Sequence, residues 1–142
     1  MLRKHAVADQ LSQVPLFSHL GDKELLAVRR LMTEAHVAEG QVLAREGTRG
    51  SEFFIIVAGT ASVDRGGVHV ADVGPGDFQG EISLLDGGPR TATVTATSEM
   101  TIMVATNGEF HAMLDSTPTV ARQMLPALAH RVRVATGDAL TH

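Results

Sequence analysis

The chain has 142 residues, enough for a single domain that buries roughly two thirds of its unfolded surface and too few for two such domains. Its 44 % hydrophobic and 20 % charged residues exclude an intrinsically disordered chain, and the absence of cysteine excludes disulfides, thiolate metal ligands and a cysteine nucleophile. A formal net charge of −4 repels polyanions, so general binding to nucleic acid or to an anionic membrane is not expected and any anion must be caught locally.

In chain order, Met1 to His5 is basic but is not followed by an apolar run of signal-peptide length. No later run approaches the ~18 residues that cross a bilayer, so a cytoplasmic protein is expected. Val14-Pro15-Leu16-Phe17 is too apolar for a surface loop and should dock on the core. Segment 22–33 places Leu25, Val28, Leu31 and Met32 at helical intervals behind Asp22 as N-cap. Eleven of the fourteen glycines then fall between Gly40 and Gly88, so the middle is turn-rich while the ends are helical. From 34 to 105 the chain reads as short strands, among them 53–57, 61–63, 68–70, 93–95 and 100–104, bounded by turns such as Asp64-Arg65-Gly66-Gly67 and Gly74-Pro75-Gly76-Asp77. Many short antiparallel strands at this spacing predict a small jelly-roll barrel: a mainly β fold with N-terminal helices over 1–33 and C-terminal helices over 106–142. Thr117-Pro118 is a helix start with Thr117 as cap. Pro126 should kink this last segment or join two helices, since it cannot donate to residue 122. Leu125, Leu128, Val132 and Ala135 form a seam that can pair with its twin in a homodimer or pack on its own barrel. Arg122, Arg131 and Arg133 read as a solvated helix face.

The chemistry concentrates between Gly80 and Thr91. The turn at 74–77 delivers Gly80 to a short helical turn, Glu81 to Leu85, whose free amides can face an anion that a glycine lets approach closely. Arg90 offers a two-pronged donor matched to phosphate, with the Thr91 hydroxyl beside it. Glu81 cannot bind phosphate and suits a sugar hydroxyl instead. From residues alone, a structural ion pair between Glu81 and Arg90, with glycines serving turns only, accounts for the same pattern.

The string Pro75-Gly76-Asp77-Phe78-Gln79-Gly80-Glu81-Ile82-Ser83-Leu84-Leu85, continued by Pro89-Arg90-Thr91-Ala92-Thr93-Val94-Thr95-Ala96, resembles the phosphate-binding cassette of cyclic nucleotide-binding domains. Val14 to Leu20 resembles the family's entry motif and Glu46-Gly47 with Phe53 to Gly59 its central hairpin. Phe110, Leu114, Pro118 and Arg131 fit its two C-terminal helices, so that roughly 10–140 is covered. The resemblance implies that Glu81 accepts from the ribose 2′-hydroxyl and Arg90 pairs with the cyclic phosphate. The amides of Gly80, Glu81, Ile82 and Ser83 and the Thr91 hydroxyl would complete the cradle. It also implies a C-terminal lid helix on which Ala135 and Thr136 stand where catabolite-activator members place two hydroxyl residues against adenine; only Thr136 carries one. Thr91 does not choose between cAMP and cGMP. Gln79 stands at a usually apolar position that solvent exposure would tolerate, and Gly87-Gly88 should make the following loop flexible.

A metal-dependent barrel enzyme would need paired histidines near a carboxylate, and the seven histidines are scattered, with none two residues apart. No G-x-S-x-G or H-E-x-x-H motif is present either, so neither catalysis nor a metal or cofactor is expected. A transcription regulator of catabolite-activator type would need a helix-turn-helix after the lid, and the sequence stops at His142; a fragment of such a regulator stays an alternative. So does a domain of this fold that binds no ligand and signals by protein contact. The expectation is a cytoplasmic cyclic nucleotide sensor, with cAMP or cGMP as ligand, an effector protein of unknown identity and a homodimer through the last helix.

Overall fold

The computed structural model describes residues 11–140, with side chains through residue 133. Eight antiparallel strands form two sheets: β1 (Thr33–Val37), β8 (Met100–Thr106), β3 (Glu52–Ala58) and β6 (Phe78–Gln79) in that order, and β2 (Val42–Ala44), β7 (Thr93–Ala96), β4 (Ala61–Arg65) and β5 (Val68–Val73). Helices flank them: α1 (Asp22–Arg30), α2 (Glu81–Asp86), α3 (Asn107–Ser116) and α4 (Pro118–Leu140). This is the mainly β, helix-flanked jelly roll read from the sequence.

Strand β3 organises the layers. Its interior residues are all buried, and period-two alternation sends them to opposite sides. Phe53, Ile55 and Val57 join the cluster under the helices, with Phe17, Val28, Phe110, Met113, Val120 and Met124. Phe54 and Ile56 join the cluster between the sheets, with Val63, Val94, Met100 and Ile102. A run apolar at every position, rather than alternating, is what a strand covered on both faces requires.

The ends of the helices explain where the sequence reading needed correction. Gly21, not Asp22, is the N-cap of α1: its N–H donates to Glu24 Oε1 at 3.2 Å, and Asp22 sits inside the first turn, where its charge favours the helix dipole. The helix ends at Arg30, short of residue 33, because Thr33 already pairs with Val104 in the sheet. Thr106 and Glu109 cap α3 reciprocally, the Glu109 N–H donating to Thr106 Oγ1 and the Thr106 N–H to Glu109 Oε1. Pro126 does not divide the last segment, which is one helix from Pro118 to Leu140. Val120 and Met124 hold it against the core on one side, while Pro126 lies on the exposed side, where water can serve the Arg122 carbonyl. The expected seam is also divided: Leu128 packs on the chain's own core, Leu125 and Val132 are exposed, and the side chain of Ala135 lies outside the described residues. The turn Pro15–Phe17 docks as expected, burying Leu16 and Phe17 beside α4.

Candidate functional site

Strand β6 pairs with β3, Phe54 opposite Gln79 and Ile55 opposite Phe78, and so carries the chain to Gly80 at the edge of the sheet. Gly80 has φ 96°, and a Cβ there would lie 2.5 Å from both Arg90 Nη1 and the Glu52 carbonyl oxygen, so only glycine fits. Helix α2 begins at the next residue. Ser83 Oγ donates to the Pro89 carbonyl at 3.0 Å, which lashes α2 to the loop that follows it, and His111 Nε2 on α3 lies 3.1 Å from the Leu84 carbonyl.

Two local hydrogen bonds shape that loop. The Gly87 N–H donates to the Ser83 carbonyl and the Gly88 N–H to Asp86 Oδ1 at 2.8 Å. Arg90 is fixed by its own backbone, its N–H donating to the Thr48 carbonyl at 2.8 Å and its carbonyl accepting from the Gly47 N–H at 2.9 Å. Gly50, which the sequence reading passed over, is needed here because a Cβ would fall 2.6 Å from Ser83 Cβ and 3.1 Å from Arg90 Nε. Its signal was a glycine in the turn opposite the cassette.

The resulting pocket gathers Gly80, Glu81, Ile82, Ser83, Arg90 and Thr91, completed by Ala44, Gln79, Ala92, Val94 and Arg131. Gln79 lines the pocket and is half-buried. Thr136, the remaining candidate, belongs to α4, but its side chain lies outside the described residues.

Glu81 and Arg90 are 1 % and 8 % exposed, yet they do not serve as each other's partner. Glu81 Oε1 accepts from Arg131 Nη1, which replaces the Glu81–Arg90 ion pair considered from the sequence. Arg131 Nη2 donates to the Phe78 carbonyl at 2.9 Å, and the guanidinium lies 4.9 Å from the centre of the Phe78 ring, within cation–π range. Arg131 thus leaves the solvated face on which the sequence reading placed it, while Arg122 and Arg133 remain exposed. Helical periodicity could not reveal this, because the carboxylate that draws Arg131 in comes from a segment fifty residues earlier.

Two buried atoms of the pocket have no hydrogen-bond partner, Glu81 Oε2 and Arg90 Nη1. Burial lowers the Arg90 pKa from its ordinary value, against a smaller raising effect of Glu52; burial likewise lowers that of Arg131, opposed by Asp77. Among the residues that line the pocket two guanidinium groups face one carboxylate in a poorly solvated place, with Glu52 and Asp77 acting from outside the lining. Such an arrangement favours an anion that also brings a hydroxyl donor for Glu81 Oε2. Among the described residues no helix is long and apolar enough to cross a membrane.

Comparison with known proteins agrees with this geometry. Residues 34–117 match the family model described as "Cyclic nucleotide-binding domain". The chain is 34 % identical over 111 residues to a cyclic nucleotide-gated potassium channel of Rhizobium etli, covering 78 % of this chain and 31 % of the channel. It is 36 % identical over 115 residues to a cAMP-dependent protein kinase regulatory subunit of Mycosarcoma maydis, covering 75 % of this chain and 22 % of that protein. The chain thus spans less than a third of the length of these curated relatives. Among solved structures it is similar to the catabolite activator protein of Thermus thermophilus, with a TM-score of 0.81 and 27 % identity over 88 % of this chain and 61 % of that one. With the cassette, the jelly roll and a family match over more than half of its length, the chain belongs to the cyclic nucleotide-binding domain family.

Proposed function

We propose that the chain is a regulatory module that binds cAMP or cGMP in the pocket between α2 and β7. Arg90 Nη1 donates to the cyclic phosphate, supported by the backbone amides of Gly80 to Ser83 and the Thr91 hydroxyl, and Glu81 Oε2 accepts from the ribose 2′-hydroxyl. The observation that carries this reading is the coexistence, in one pocket, of a buried acceptor and a buried cationic donor that the protein itself leaves unsatisfied. A buried orphan of either kind costs about 1–3 kcal/mol, and a ligand carrying an anion next to a hydroxyl relieves both at once. A sulfate, which has no hydrogen to donate, would relieve only one.

Helix α4 is the lid in this reading, and its movement on ligand binding is the signal. Ligand can drive that movement only by binding one position of α4 better than another. The signal would pass to an effector protein, with pairing of α4 to its twin as the route to a homodimer. The relatives, one named as a nucleotide-gated channel and one as a kinase regulatory subunit, support a regulatory role without identifying the effector.

Isothermal titration with cAMP and cGMP in turn tests the reading. Saturation at a hundredfold over Kd adds about 2.7 kcal/mol of stability, visible as a rise in Tm of several degrees. Neither heat nor Tm shift with either nucleotide at millimolar concentration would refute it, whereas a difference between the two affinities names the base.

A further inference from the structure

We infer that Gln79 is a further ligand-binding residue, whose side-chain carboxamide donates a hydrogen bond to the cyclic phosphate alongside Arg90. The inference rests on the nucleotide reading above and adds to it a contact made by a side chain that the clamp leaves without a role.

The polar side chains lining the pocket are those of Gln79, Glu81, Ser83, Arg90, Thr91 and Arg131. The Ser83 hydroxyl is engaged by the Pro89 carbonyl, and Arg131 by Glu81 and the Phe78 carbonyl. Glu81, Arg90 and Thr91 have their places in the clamp. Gln79 alone is left over, half-buried and with no side-chain hydrogen bond among the described residues.

The sheet decides where this carboxamide points. Gln79 stands directly opposite Phe54 in the β3–β6 pair, and opposed residues of an antiparallel pair share a face. Phe54 faces the cluster between the sheets, so Gln79 does too, whereas Phe78 goes to the opposite side and joins the cluster under the helices. On that face the pocket is completed by Ala44 of β2, Val94 of β7 and Ala92 just before it, all buried. None of these three side chains can accept or donate, so the carboxamide keeps its hydrogen-bonding capacity for whatever enters.

Its surroundings favour the phosphate over the ribose. A Cβ on Gly80, the next residue, would lie 2.5 Å from Arg90 Nη1, so the backbone beside Gln79 passes close under that guanidinium. Ala92 and Val94, which share the face of Gln79, continue the segment that carries Arg90 and Thr91. Glu81, by contrast, is drawn toward α4 by Arg131. A neutral donor next to Arg90 adds a charge-assisted hydrogen bond to the anion. Because cAMP and cGMP carry the same cyclic phosphate, the contact should serve both alike.

Isothermal titration of the whole chain, Gln79→Met and Gln79→Glu with cAMP and cGMP tests this. For a nucleotide that binds, the titration is repeated with its 2′-deoxy form and its two phosphorothioate diastereomers. Methionine keeps the unbranched shape and removes the donor. Gln79→Met should bind both nucleotides about tenfold more weakly, and Gln79→Glu, which sets a carboxylate against the phosphate, about a hundredfold more weakly or worse. The Gln79→Met loss should persist with the 2′-deoxy form and shrink with one of the two phosphorothioates, whose sulfur replaces the accepting oxygen. Without nucleotide, Gln79→Met should keep the Tm of the unaltered chain, since no hydrogen bond within the protein is lost. Unchanged affinity in folded Gln79→Met, with or without a fall in Tm, would overturn the inference, as would Gln79→Glu binding within tenfold of the unaltered chain. A Gln79→Met loss that vanishes with the 2′-deoxy form would place the contact on the ribose and overturn it too. In each of these cases the unaltered chain still binds and the proposed function stands. Failure of the unaltered chain to bind either nucleotide refutes both.

Discussion

Strand β3 and the β4–β5 hairpin are both β-rich stretches of this chain, but they do different work. All five interior residues of β3 are buried, whereas β5 is exposed along nearly its whole length, with Val68 64 % and Val70 48 % accessible. The difference follows from position: β3 lies between helices on one side and the second sheet on the other, while β5 is the last strand of its sheet. The site hangs on the first region. Strand β6 is zipped to β3, and the Glu52 carbonyl presses on Gly80, so the cassette inherits the rigidity of the most buried strand. The hairpin reaches the site from outside, through Arg65 Nε donating to the Thr91 carbonyl at 3.2 Å and the Gly66 N–H donating to Glu46 Oε1. A binding loop set on a doubly buried strand can hold polar groups unsatisfied, because the packing around it, not hydrogen bonding, keeps them in place.

Four substitutions test this contrast, from the largest expected effect to the smallest. Phe53→Ala removes a fully buried ring in contact with the rings of Phe78 and Phe110 and should lower unfolding stability by about 3–5 kcal/mol in a denaturant titration. A cost below about 1 kcal/mol would mean that β3 does not organise the two layers. Gly80→Ala strains a left-handed backbone and drives a methyl into Arg90 and the Glu52 carbonyl; about 1–3 kcal/mol of stability should go with a displaced guanidinium and at least tenfold weaker nucleotide binding. Arg90→Ala separates site from scaffold, since it should cost about 2 kcal/mol or more of binding by calorimetry and leave Tm nearly unchanged. A buried cation with an unpartnered nitrogen contributes little to folding, so a large fall in Tm would assign Arg90 a structural role instead. Val70→Ala, on the exposed strand, should stay within about 0.5 kcal/mol in the same denaturant titration. If it cost as much as Phe53→Ala, the two regions would be equivalent and the contrast would fail.

Much of the fold was legible because burial writes a pattern into local sequence. The apolar run at 53–57 announced a strand, and the cassette announced a turn, a glycine and a short helix in an order that the structure keeps. What was less legible has specific reasons. Strand β1, Thr-Glu-Ala-His-Val, is too polar to stand out because it lies at the edge of its sheet, and β2 spans only three residues. Asp22 looked like a cap because its side chain suits one, but Glu24 already serves the Gly21 N–H. Pro126 looked like a break because its cost is local, whereas the burial of Val120 and Met124 that holds the helix is not.

The site divides along the same line. By itself the sequence determined which segment would hold an anion, since Gly80, Glu81, Arg90 and Thr91 lie within twelve residues and owe their proximity to one turn and one short helix. Only the tertiary structure decided how these groups are partnered: that Glu81 turns one oxygen to Arg131 rather than to Arg90, that Gly50 makes room for the guanidinium, and that Arg90 Nη1 and Glu81 Oε2 are left open. The physical reason is distance along the chain. Local sequence sets the backbone of the cassette, but the charge on a buried carboxylate is answered by whichever cation the packing brings near, and here packing brought one from the last helix.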